Sequence, residues 1–231
     1  MVIHGLQKTT LLDYPSKVAA TVFFGGCNFR CPFCHNMNLV LHPENEPTLS
    51  EEEVLAFLKS RKGILDGVCI TGGEPTLQKD LPRFAGKIKD LGYALKLDTN
   101  GTNPSMLKSL VKNGLLDHVA MDIKSSPDGY ASVCGLSKPD LDSVRESVAF
   151  LLQGNVSYEF RTTVVAEYHN EEIMRKIGEW IKGASAYYLQ SFTDSDFVPD
   201  HSLHACDKET LLHFLDIVTP YVAQASLRGV E

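Results

Sequence analysis

The chain has 231 residues, of which 43% are hydrophobic and 22% charged, with a net charge of −7. That is enough chain to bury a full core, and a mildly acidic balance without a Lys/Arg run excludes nucleic acid as the main partner. The longest apolar runs, such as KVAATVFF (17–24), fall far short of a membrane span, and the N-terminus lacks the basic and apolar regions of a secretion signal; no membrane partner and a cytoplasmic location are expected.

Short β-rich runs alternate with helical patterns. An N-terminal segment, residues 1–17, precedes an expected strand at Val18–Phe24 and a cysteine-bearing loop at 25–36. A helix is expected at Ser50–Lys62, where Ser50 precedes three glutamates and Gly63 ends the run. There follow a strand at Gly67–Thr71, a helix at Leu81–Leu91 closed by Gly92, a strand at Ala94–Asp98 and a helix at Pro104–Asn113. The series continues with a strand at His118–Asp122, a helix at Asp140–Gln153, a strand at Tyr158–Val165, a helix at Glu171–Lys182, a strand at Ala186–Gln190 and a helix at Asp207–Tyr221. Six β–α units imply an α/β fold with a mostly parallel sheet and right-handed crossovers. No linker or repeat divides the chain, so a single domain over 1–231 is expected. An open doubly wound sheet and a partial barrel both fit. Either puts chemistry at the C-terminal ends of the strands.

Cys27, Cys31 and Cys34 are spaced C-x3-C-x2-C. Clustered thiolates suit soft metals. A structural zinc would want a fourth ligand, and His35 is adjacent. A 4Fe–4S cluster on three cysteines would leave one iron open for a substrate or cofactor. Cys69, Cys134 and Cys206 are scattered and read as packing residues; His201, His204 and Cys206 lack a fourth ligand for a second metal. Phe33 offers an aromatic face beside the cysteines. Gly72 and Gly73 permit close backbone approach, and Glu74 can accept from an ammonium. Asp98 and Asp122 end apolar strands, where they act either as helix caps or as ligands for a cation or ribose. Lys124 can pair with Asp122, and Arg161 inside an apolar strand needs a partner if buried.

Taken together, CNFRCPFCHN, TGGEP and the acid-tipped strands LDTNG and MDIK resemble the radical S-adenosylmethionine (radical SAM) superfamily. More narrowly, LLDYPSKVAATVFFGGCNFRCPFCHN and SLRGV resemble the activating proteins of glycyl radical enzymes, above all the group that activates anaerobic ribonucleoside-triphosphate reductase. The resemblance implies a partial (β/α)6 barrel with one 4Fe–4S cluster on Cys27, Cys31 and Cys34, whose fourth iron chelates S-adenosylmethionine. It implies reductive cleavage to a 5′-deoxyadenosyl radical and removal of hydrogen from a glycine of a partner reductase, with flavodoxin or ferredoxin as electron donor. By the same resemblance Phe33 to His35 meet the adenine, and Gly72, Gly73 and Glu74 lie along the methionine amine. Asp98, Asp122, Lys124 and Arg161 surround the cosubstrate, the acids binding a monovalent cation in relatives, while Asp13 faces the incoming glycine loop. The chain departs from the family pattern at Ser16, where relatives often have Gly, and at Gly25, where they have Gln. A radical enzyme acting on a small molecule, as in 7-carboxy-7-deazaguanine synthase, is the alternative activity. A zinc-stabilised binding module is the non-catalytic one.

Overall fold

The computed structural model describes residues 1–230. Its framework is one sheet of eight strands in strict chain order: β1 (Ile3–Thr10), β2 (Ala19–Phe24), β3 (Gly67–Gly72), β4 (Ala94–Thr99), β5 (His118–Asp122), β6 (Ser157–Val164), β7 (Tyr187–Ser191) and β8 (Ala225–Arg228). β1 runs antiparallel to β2, and every later pairing is parallel. Strands β2 to β7 lie within one residue of their expected ends. β1 and β8 are additions at the two edges, so the sheet has eight strands and not six.

The helices that carry the crossovers are α1 (Met37–Leu41), α2 (Glu51–Ser60), α3 (Leu81–Asp90), α4 (Pro104–Lys112), α5 (Tyr130–Val133), α6 (Leu141–Leu151), α7 (Glu171–Trp180) and α8 (Lys208–Val218). Local chemistry starts them. Ser50 Oγ accepts from Glu53 N–H, and the Glu53 carboxylate accepts from Ser50 N–H, a reciprocal cap on α2. Asn103, Asp140, Asn170 and Asp207 cap α4, α6, α7 and α8. Leu81, Phe84, Ala85 and Ile88 of α3 are buried in the same core as Leu95 and Leu97 of β4. Among the described residues no helix is long and apolar enough to cross a membrane.

Successive strand residues face opposite sides of a sheet. In β4 this sends Leu95 and Leu97 to the helices and turns Lys96 and Asp98 to the other face. Thr21, Cys69 and Lys96 are register partners in one row across β2, β3 and β4. The sheet curves strongly: Arg161 on β6 reaches Asp98 on β4 across β5, and His35 after β2 meets Thr193 after β7. The result is a partial barrel with a polar interior.

Both departures from the family pattern have local consequences. Ser16 sits at φ +62°, the left-handed region that glycine favours. A Cβ on Gly25 would lie 2.7 Å from the His4 ring and from Pro43. The glycine is what lets those two side chains pack here.

Candidate active site

At the C-terminal strand ends lies a cavity of about 220 Å³, with Cys27, Cys31 and Cys34 in its wall. Main-chain hydrogen bonds from three directions hold the cysteine loop. Glu74 N–H donates to Gly26 O at 2.8 Å, Arg30 N–H to Cys134 O at 2.8 Å, and Asp200 N–H to Pro32 O at 3.2 Å. The glycine pair where β3 ends makes this contact possible. Gly72 has φ +116°, and a Cβ on Gly73 would stand 2.0 Å from Gly26 O.

The donor set fits an iron–sulfur group. Burial pushes the Cys27 thiol up to about 11, opposed by the Phe29 N–H, and the Cys31 thiol up to about 12, opposed by Lys124; burial raises Cys34 as well. Three sulfurs withdrawn from water beside a lysine suit a soft metal. Among the described residues no three His, Cys, Asp or Glu side chains converge on a single-ion site. A cluster does not require that, because each thiolate binds a different iron. His35 Nε2 lies 2.6 Å from Thr193 O, and its ring packs 5.8 Å from Phe192. The ring is thus engaged by the loop after β7, which weighs against its serving as a fourth zinc ligand. Phe33 is buried 6.2 Å from Tyr168, with Lys124 Nζ 5.9 Å from its ring centre.

Behind the cysteines, Asp98 and Asp122 lie within one ionic network. Arg161 bridges them: its Nη1 is 3.3 Å from Asp98 Oδ2, and its Nη2 is 2.9 Å from Asp122 Oδ1. Lys124 Nζ binds Asp122 Oδ2 at 2.9 Å, and Lys96 Nζ donates to Asp98 Oδ1. Burial pushes Asp122 up, but Arg161 and Lys124 outweigh it and bring it down to about 2; Arg161 and Lys96 likewise leave Asp98 low despite burial. Two carboxylates face three cations, a sum of +1. The repulsion that would call for a bound monovalent cation is relieved by side chains. Lys96, only 1% exposed, is the member that sequence reasoning missed. The alternation in ALKLD, apolar at 95 and 97 and charged at 96 and 98, was its signal.

Cys27, Cys31, Cys34, Phe33, His35, Gly72, Gly73, Asp98, Asp122, Lys124 and Arg161 all line the cavity; Glu74 and Asp13 do not. Glu74 is fully buried. Its Oε1 accepts from Thr76 N (3.1 Å), Thr76 Oγ1 (2.5 Å) and Thr99 Oγ1 (2.8 Å), and its Oε2 from Asn100 N (2.6 Å). The carboxylate ties the end of β3 to the end of β4. Asp13 lies in the turn between β1 and β2, at the opposite end of the strands, and accepts from Thr21 Oγ1. His201 pairs with Asp194 and His204 with Glu167, so the two histidines are held by separate carboxylates.

A curved, mostly parallel α/β sheet with a three-cysteine loop after its first parallel strand defines a class. The Radical SAM superfamily model matches residues 21–181, and the chain belongs to that superfamily. It is a radical SAM enzyme, and two relatives that match more than 80% of its length are activating enzymes. It is 34% identical over 202 residues to the candidate glycyl-radical enzyme activating enzyme MJ1227 of Methanocaldococcus jannaschii, covering 84% of this chain and 81% of that protein. It is 28% identical over 208 residues to the pyruvate formate-lyase-activating enzyme of Clostridium pasteurianum, covering 87% and 82%. A probable GTP 3′,8-cyclase of Thermococcus kodakarensis matches at 36% identity but over 54% of this chain and 41% of its own length. In fold, the chain is similar to a domain of the pyruvate-formate lyase-activating enzyme from Bacteroides vulgatus, with a TM-score of 0.59 and 17% identity over 71% of this chain and 99% of that one.

Proposed function

We propose that this protein activates a glycyl radical enzyme, and that its partner is the anaerobic ribonucleoside-triphosphate reductase. The observation that carries the reading is the wall of three cysteines, Cys31 buried and Cys27 and Cys34 half-buried, facing a +1 network across one cavity. Cys27, Cys31 and Cys34 would hold a 4Fe–4S cluster, the cofactor of the superfamily. When bound, the cluster would supply one electron to the sulfonium of S-adenosylmethionine, breaking the C5′–S bond to release methionine and a 5′-deoxyadenosyl radical that takes hydrogen from a glycine to give 5′-deoxyadenosine and a glycyl radical.

The chain's own residues bind and orient. Lys124 and Arg161 present positive charge to the cosubstrate carboxylate, while Asp98 and Asp122 hold those two cations in place. Phe33 and His35 provide a face for the adenine. Gly72 and Gly73 bring main chain to the cavity wall without side chains. Leu11 and Leu12, 72% and 89% exposed beside Asp13, form an apolar edge for the partner's body at the end of the strands away from the cavity that receives its glycine. A flavodoxin or ferredoxin would supply the electron. The test is anaerobic co-incubation with the reductase, S-adenosylmethionine and a reductant, followed by electron paramagnetic resonance. A glycyl radical on the reductase supports the proposal. Cosubstrate cleavage with no radical on the reductase, but with one on another glycyl radical enzyme, would reassign the partner.

A further inference from the structure

We infer that the Asn100 side-chain amide donates a hydrogen bond to Cys27 and raises the reduction potential of the cluster that this cysteine holds, with Glu74 as the residue that positions Asn100. The inference rests on the reading that the three cysteines hold a 4Fe–4S cluster.

Asn100 follows β4 in the sequence DTNG and is 6% exposed. Its amide orientation is fixed by its partners. Oδ1 accepts from Thr102 N at 3.0 Å and from Thr102 Oγ1 at 2.7 Å. Nδ2 is then the donor, to Asn28 Oδ1 at 2.9 Å and to Cys27 Sγ at 3.8 Å. Asn28 Nδ2 closes the ring by donating to Thr102 Oγ1 at 2.8 Å. A flipped Asn100 would set oxygen against Asn28 Oδ1 and an NH2 group against the Thr102 N–H, losing these bonds. The network therefore aims an N–H at the sulfur. Phe29 N–H donates to the same sulfur at 3.3 Å, so Cys27 receives two donors.

The main chain of Asn100 is held as firmly as its side chain. The fully buried Glu74 accepts its N–H and also the Thr99 hydroxyl. The acid of the GGEP run thus holds Asn100 in place. A donor to a cluster thiolate stabilises the more negative, reduced state more than the oxidised one, and the potential rises. That makes the cluster easier for a cellular donor to reduce.

The experiment compares anaerobically loaded wild-type, Asn100→Ala, Asn100→Asp and Glu74→Gln proteins in a reductive titration followed by electron paramagnetic resonance, after iron and sulfide analysis. The midpoint should move to more negative values in Asn100→Ala, further in Asn100→Asp, where a carboxylate replaces the donor, and less in Glu74→Gln. Unchanged midpoints in loaded Asn100→Ala and Asn100→Asp would overturn the role of Asn100 alone. A wild-type chain that takes up no iron and sulfide would overturn the cluster assignment and the inference with it. Should the Asn100 variants fail to load, loaded Glu74→Gln decides: its midpoint should move to more negative values, and an unchanged midpoint would overturn the inference.

Discussion

Lys96→Met removes the cation that the sequence hid best. Lys96 Nζ is 1% exposed and serves Asp98, with Cys69 Sγ 3.8 Å away. Removing one partner of a buried pair costs about 3–5 kcal/mol. Asp98 keeps Arg161 at 3.3 Å, so the lower end, about 3 kcal/mol, is expected. For a chain of this size that lowers the melting temperature by roughly 6–12 °C. The network sum also falls from +1 to zero, so affinity for the cosubstrate carboxylate should weaken. Lys96→Met/Asp98→Asn, which removes both charges, should regain part of the loss because Arg161 retains Asp122 at 2.9 Å. Calorimetric melting of the wild type, both single variants and the double variant measures the coupling. A drop under about 2 °C in Lys96→Met, or a double variant no more stable than Lys96→Met, would refute the argument that these charges stabilise each other.

Replacing Cys27, Cys31 or Cys34 with Ala should each abolish iron uptake and S-adenosylmethionine cleavage, whereas Cys134→Ala and Cys206→Ala keep both; iron analysis and product assay decide. Gly73→Ala drives a Cβ to 2.0 Å from Gly26 O, so it should displace the cysteine loop and cut cluster content, read by iron per chain. Asp13→Ala should still cleave S-adenosylmethionine but activate its partner poorly, and equal loss of both activities would count against its placement at the partner face. His169 is buried, with its ring nitrogens against Lys124 O and the Val165 main chain, and burial lowers its pKa. A base whose folded pKa is lowered stabilises the fold above its unfolded value, about 6.5, and that stability is lost as pH falls through this value toward the lowered one. Melting temperature should fall as pH drops below about 6.5, and His169→Gln should flatten that decline.

Strands β2 to β7 were legible because each is a short apolar run bounded by turn residues, and their order fixes a parallel sheet. β1 and β8 were not. β1 turns Gln7, Lys8 and Thr9 to solvent, and the four residues of β8 are all half-buried, so neither carries the apolar signature of an inner strand. The cysteine spacing was local and therefore readable. The roles of Glu74 and Asn100 were not, because they depend on partners brought together by folding: Glu74 meets Asn100 26 positions on, and Asn100 meets Asn28 72 positions back. In three dimensions the buried acid after two glycines ties the ends of two strands together.

The central claim is that hydrogen leaves a partner glycine for the adenosyl group held in this cavity. The direct measurement is isotope transfer. Anaerobic reductase carrying α-deuterated glycine is incubated with the loaded protein, reductant and S-adenosylmethionine, and the 5′-deoxyadenosine is weighed by mass spectrometry. The account predicts one deuterium in the product, formed in step with the radical on the reductase. Product without deuterium, at the same rate with and without the reductase, would contradict it.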